Sequence, residues 1–244
     1  MPSAALRVDL REVAGAAVLA PTGVLDAASY GQLRTLLVKA ATNEPRAVIV
    51  DLDGLAVPDR AALALFSSVS DQLADWPGVP LLLAVERPGQ RALLDGYRLA
   101  RFVPIHPSVL AAVAAVDAPA VRRIARRKLP NSLASAAIAR RFVLDVCRQW
   151  PVAMRVQDAM IIANELVENT LLHTYCAPSL RLELRRGLLT VAVYDDDPAP
   201  ARLIEPEAET LCHRGLVLVS ELSRVWGCSP TPSGGKVVWA VLKA

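Results

Sequence analysis

With 244 residues, 53% of them hydrophobic and 21% charged, the chain has the composition of a folded protein and a length that suits two domains. This excludes extensive disorder. Net charge is only +3, and the positive charge is conspicuous in one place, VRRIARRKLP over residues 121–130. That run is open to nucleic acid or acidic lipid, but no aromatic group interleaves with it, so a solvated interdomain connection is the preferred reading.

Cys147, Cys176, Cys212 and Cys228 form no CxxC pair, and the opening MPSAALRVDL lacks the basic start and apolar run of a secretory signal. Reduced thiols in a cytoplasm are expected. The apolar VLAAVAAV, residues 109–116, is far shorter than the about 20 residues of a membrane span. Three scattered histidines give no metal-site spacing, and no GxSxG turn marks a hydrolase.

The first hundred residues alternate short apolar runs with helical patterns. GAAVLA, AVIVDL, VPLLLAVE and RFVPIH read as strands, while SYGQLRTLLVKAAT, DRAALALFSSVSDQLADW and QRALLDGYRLA read as helices. Prolines at 45, 58, 77, 80, 88, 104 and 107 punctuate the junctions. The pattern predicts an α/β domain over residues 1–116, followed by a basic linker over 117–130.

Residues 131–244 are organised differently. Helices are expected over 132–149 and 157–173, then strands SLRLELRR and LLTVAVYD, a proline-rich loop, a helix GLVLVSELSRVW and a last strand KVVWAVLK. These elements make a second α/β sandwich.

Within the second helix, Glu165, Asn169 and His173 recur at four-residue intervals and share one side. Alone they are the wet side of an amphipathic helix that buries Ile162, Leu166, Val167 and Thr170. Three further features point to a ligand. An apolar strand runs into Asp195, Asp196 and Asp197, Arg214 and Gly215 open a helix whose free N–H groups favour phosphate, and SGGK precedes the last strand. In this order the motifs resemble the ATP-binding domain of the GHKL superfamily, a two-layer α/β sandwich with the Bergerat fold. ELVENTLLH is most similar to the helix of the anti-sigma-factor serine kinases.

The resemblance implies ATP and Mg²⁺ as cofactors. Asn169 would hold Mg²⁺ through its amide oxygen, Glu165 would be the general base, and Asp195 would accept from the adenine amino group. Arg214, Gly215 and Leu216 would begin the helix that meets the phosphates. Asp197 falls in the nucleotide-contacting stretch, where family members often have glycine, and His213 and Val237 also depart from the family pattern. A carboxylate added beside a triphosphate weakens binding unless a cation offsets it.

The first domain carries a second resemblance. Two strands, a helix, the strand VIVDLDGL and the helix DRAALALFSSV look like a STAS domain, the fold of anti-sigma-factor antagonists. In those antagonists a serine that is phosphorylated follows an Asp at the start of that helix. Here Asp59 is followed by Arg60, Ala61 and Ala62, so no hydroxyl stands there. Ser67, Ser68 and Ser70 read as ordinary helix residues.

Together these resemblances imply a cytoplasmic partner-switching regulator that binds a sigma factor or a STAS-domain antagonist, with no nucleic acid and no membrane involved. An active serine/threonine kinase acting on a separate antagonist is the alternative. Docking of the STAS-like half on the ATP-binding half is expected from tethering, and homodimerisation is left open.

Overall fold

The computed structural model describes residues 5–95, 99–116, 122–201 and 215–243. The chain divides into two compact units, Met1–Pro119 and Ala120–Ala244.

The N-terminal unit opens with an antiparallel hairpin of β1 (Arg7–Val13) and β2 (Ala16–Val24). Its turn needs positive φ at Ala14 and at Gly15, where glycine adopts that conformation without strain. Helix α1 (Ala27–Thr42) starts at Asp26, whose carboxylate accepts from the Ala28 and Ser29 amides while the Ser29 hydroxyl accepts from the Asp26 amide. The order continues with β3 (Val48–Asp51), β4 (Leu55–Ala56), α2 (Ala64–Asp75), β5 (Leu81–Ala84), α3 (Pro88–Asp95), β6 (Ile105–His106) and α4 (Val109–Ala114).

The strands form a mixed sheet in the order β1-β2-β3-β5-β6, with β4 paired to β2 off that path. Every pairing after the first hairpin is parallel. Parallel strands buried on both faces lose polar alternation, and β3 and β5 are apolar throughout apart from Asp51. Side-chain parity then divides the core. Val48, Val50, Leu81 and Leu83 pack with Leu33, Leu37, Phe66 and Val69 of α1 and α2, whereas Ala47, Ile49, Leu82 and Ala84 pack with Val109 and Ala112 of α4.

The C-terminal unit comprises β7 (Arg122–Lys128), α5 (Ala134–Gln149), α6 (Val156–His173), β8 (Ser179–Arg185), β9 (Leu188–Asp195), α7 (Gly215–Leu222), β10 (Val225–Pro230) and β11 (Lys236–Lys243). Its sheet is antiparallel throughout, in the order β10-β11-β9-β8-β7. Leu180, Leu182, Leu189, Val191, Val193, Val238, Ala240 and Leu242 share one face and form a core with Ile162, Leu166 and Val167 of α6. Thr170 is buried as well, so the inward side of α6 matches its periodicity.

Two expectations need correction. Residues 122–128, read as part of a basic linker, form strand β7 paired along its length with β8. The pairing is carried by the backbone and by Ala125 packing on the core, neither of which shows in a run of charges. The helix expected over 215–226 stops at Leu222, and Val225–Pro230 form a strand. Trp226, expected at that helix's end, lies in the strand, while Trp239 is buried and donates its indole N–H to the Ser229 hydroxyl. Among the described residues no helix is long and apolar enough to cross a membrane.

Phe66 is fully buried at the centre of the N-terminal core. Phe66→Ala is expected to lower the stability of that unit by about 3–5 kcal/mol, read from the midpoint of chemical denaturation.

Candidate functional site

Helix α6 carries Glu165 and Asn169 half-buried and His173 exposed. The three therefore do not share one environment. Glu165 lies against the start of α7: a Cβ on Gly215 would stand 2.8 Å from Glu165 Oε2. Leu216 is half-buried against the core. A carboxylate beside a helix N-terminus is favourable in itself, so this juxtaposition stabilises the packing of α7 whether or not a ligand is held.

Beside Glu165 opens a cleft of about 420 Å³ lined by Arg140, Gln157, Met160, Ile161, Asn164 and Glu165. Arg140 Nη1 donates to Asn164 Oδ1, and Asn164 Nδ2 lies 3.4 Å from Glu165 Oε1. The lining of this cleft includes neither Asn169 nor Asp195. Arg214 lies outside the described residues, as do His213 and the loop that precedes it.

The end of β9 is organised around a lysine. Antiparallel pairing sets Lys236, the first residue of β11, opposite Asp195, the last of β9. Lys236 Nζ donates to Asp195 Oδ1 at 2.9 Å, to Asp197 Oδ2 at 3.0 Å and to the Asp197 carbonyl at 3.2 Å. The Asp195 side chain is 1% exposed and that of Lys236 8%. Asp195 Oδ1 also accepts from the Asp197 amide at 3.0 Å.

The glycines of SGGK serve this arrangement. Gly234 has φ +99°, and a Cβ on Gly235 would stand 2.0 Å from the Asp195 carbonyl oxygen, so only glycine lets the turn approach β9 so closely. A hydrogen bond from the Thr231 amide to the Gly235 carbonyl closes the turn at 2.9 Å. The sequence singled out both SGGK and Asp195. It missed Lys236 as the partner of Asp195, because only strand register brings residues 195 and 236 together.

Burial works to lower the Lys236 pKa, but its hydrogen bonds to Asp195 and Asp197 outweigh that and hold it above the ordinary 10.5. Asp197 is held below its ordinary 3.8, first by the Ala199 amide and then by Lys236. An adenine amino group seeking Asp195 meets a carboxylate whose Oδ1 is already taken by an ammonium and an amide, in a spot nearly closed to water.

In the N-terminal unit the start of the α2 region is a single 3₁₀ turn, Arg60–Leu63, capped by Asp59, whose carboxylate accepts from the Ala61 amide at 2.9 Å. Asp59, Arg60 and Ala61 are exposed and Ala62 is buried. Ser67 donates back to the Ala64 carbonyl, as an ordinary helix serine does. Nearby, a cleft of about 360 Å³ lies between residues 52–57 and the start of α3. Gln90 Nε2 donates to the Leu52 and Leu55 carbonyls, and Asp53 accepts from the Glu86 and Arg87 amides.

The STAS domain family model matches residues 7–112. The match places a STAS domain in residues 7–112, within the N-terminal unit. Similar solved structures include an anti-sigma factor antagonist from Mycobacterium paratuberculosis, at 17% identity, 46% of this chain, 94% of that one and TM-score 0.41. SpoIIAA, an anti-sigma factor antagonist in its unphosphorylated form, matches at 18% identity, 45% of this chain, 96% of that one and TM-score 0.36. A variant of RsbS from Moorella thermoacetica matches at 21%, 45%, 94% and 0.38. No curated protein matches the chain. No comparison supports a GHKL domain in the C-terminal part.

Lys236→Met is expected to cost about 3–5 kcal/mol, because it leaves the Asp195 carboxylate buried without its cation. The double variant Lys236→Met/Asp195→Asn should be less destabilised than the sum of the single changes, by about 1 kcal/mol or more in a denaturation cycle. Its pH dependence follows from the shifts. The depressed Asp197 contributes stability above 3.8 that is lost as pH falls through its lowered value. The raised Lys236 contributes stability below 10.5 that is lost as pH rises through its raised value. The difference in denaturation midpoint between wild type and Lys236→Met should therefore be largest between those limits and shrink outside them.

Proposed function

We propose that the chain is a partner-switching regulator that acts by binding, its targets being a sigma factor or a separate STAS-domain antagonist. The observation that carries this reading is the STAS domain itself, with Asp59 spent on capping and Arg60 exposed beside it. A guanidinium at that turn offers no hydroxyl for phosphorylation and gives the surface a fixed positive charge. The N-terminal domain thus holds one binding state instead of alternating between two.

The C-terminal half is assigned a binding role on the same reading, as a relative of the ATP-binding anti-sigma factors in which nucleotide affinity has been lost or nearly so. The Lys236 contacts to Asp195 and Asp197 support that assignment. Titration calorimetry with ATP and Mg²⁺ is expected to show binding no tighter than about 1 mM. Purified sigma factors and STAS antagonists from the same cell, tested pairwise, should include at least one that binds at micromolar strength, and Arg60→Glu should weaken an interaction made through the STAS domain about tenfold. Failure of every such protein to bind would remove the regulatory reading.

A second reading, an active serine/threonine kinase, is favoured by one observation, the contact of Glu165 with the start of α7. It requires micromolar ATP binding that Asn169→Ala abolishes, and transfer of label to a serine-bearing antagonist that Glu165→Ala silences.

A further inference from the structure

The basic run is a sheet edge, and this changes what it can do. Strand β7 pairs with β8 on one side, and among the described residues no strand pairs with its other side. Alternate residues of an edge strand direct N–H and C=O groups away from the sheet, leaving a row of backbone donors and acceptors for an added strand.

Register fixes where its charges go. Arg123 and Arg127 stand opposite Leu184 and Leu180, on the face that packs the helices, whereas Arg126 and Lys128 stand opposite Arg181 and Ser179 on the other face. All four cationic side chains are exposed, and among the described residues none has a carboxylate within ion-pair distance. Behind them the cations of β8 are in excess as well. Buried Glu183 pairs with Arg181 and lies 3.6 Å from Arg122 and 3.9 Å from Arg185. The Arg185 guanidinium is pushed below its ordinary value, first by burial and next by Arg122.

An edge can be protected from aggregation by a lysine or two on one face. Here the edge is cationic on both faces, at four of the last six positions of the strand, and among the described residues the acid in register behind it, Glu183, serves three arginines. We infer that the free edge of β7 is a docking site for an extended acidic segment of a partner protein, added to the sheet as a sixth strand. Backbone hydrogen bonds would give the affinity, and carboxylates alternating onto both faces would meet Arg123 and Arg127 on one side and Arg126 and Lys128 on the other. Nucleic acid fits less well, since β7 carries no aromatic side chain for a base to stack on.

The probe is a fluorescein-labelled peptide of seven residues, the length of β7, with the sequence Glu-Glu-Val-Val-Glu-Glu-Val, whose adjacent glutamates place carboxylates on both faces; it is followed by anisotropy and by amide hydrogen exchange of the intact chain. Binding should protect amides of residues 122–128 and be weakened at least about tenfold by Arg123→Glu/Arg126→Glu/Arg127→Glu, or less steeply by the milder Arg126→Gln/Arg127→Gln. A Glu-Pro peptide with proline in place of every valine has the same charge but lacks strand donors on both edges, and it should bind at least about tenfold more weakly. Equal binding of the Glu-Pro peptide, protection elsewhere than 122–128, no binding at all, or tighter arginine-dependent binding of duplex DNA or phosphatidylserine vesicles would each overturn the inference.

Discussion

The antiparallel register of β9 and β11 determines the chemistry of the C-terminal half. It sets the ammonium of Lys236 against the carboxylate of Asp195 where both are shielded from water, and the pair is coherent only because further hydrogen bonds satisfy it. The close approach of Gly235 to the Asp195 carbonyl belongs to the same constraint. A side chain at 235 would push the turn away and draw Lys236 off its partners. Aspartate, glycines and lysine are therefore one structural unit, although they stand some forty residues apart in the sequence.

The same comparison, residue type against physical setting, reads the STAS domain. Asp59 sits where an aspartate caps a turn, a role that any N-terminal aspartate fills, and its hydrogen bond to the Ala61 amide accounts for its presence without reference to a phosphoacceptor. What distinguishes this chain is the next residue. A serine at an exposed turn can be switched, because adding phosphate changes the charge there by nearly two units. Arg60 sets that charge permanently and with the opposite sign.

How much of this was legible in the sequence varies with the physics that formed each element. Strands β3, β5, β8 and β9 announce themselves because apolar side chains drive their burial, and α6 because Ile162, Leu166, Val167 and Thr170 recur at helical spacing. Strand β7 does not, since five of its seven residues are charged, the two apolar ones are adjacent, and its place depends on pairing with β8. Strand β10 is hidden by Gly227, Ser229 and Pro230, residues that read as a loop. Gly227 is needed there because a Cβ would stand 2.6 Å from the Trp239 ring. At the site, the engagement of Asp195 by Lys236 depends on register, which local pattern does not encode.

On the proposed reading, the two halves share a property that follows from their charges. Each has a basic residue that fixes the local charge: Arg60, exposed at the turn capped by Asp59, and Lys236, held between Asp195 and Asp197 in the C-terminal sheet. A protein built this way does not change affinity by chemistry at those positions. Its partners must then be exchanged by competition and by concentration, since a ligand shifts an equilibrium only through its own differential binding. Covalent linkage of the two modules favours that mode, because a partner held by one half faces the other at an effective concentration of about millimolar when the span allows it. Control would lie in the abundance of the competing proteins.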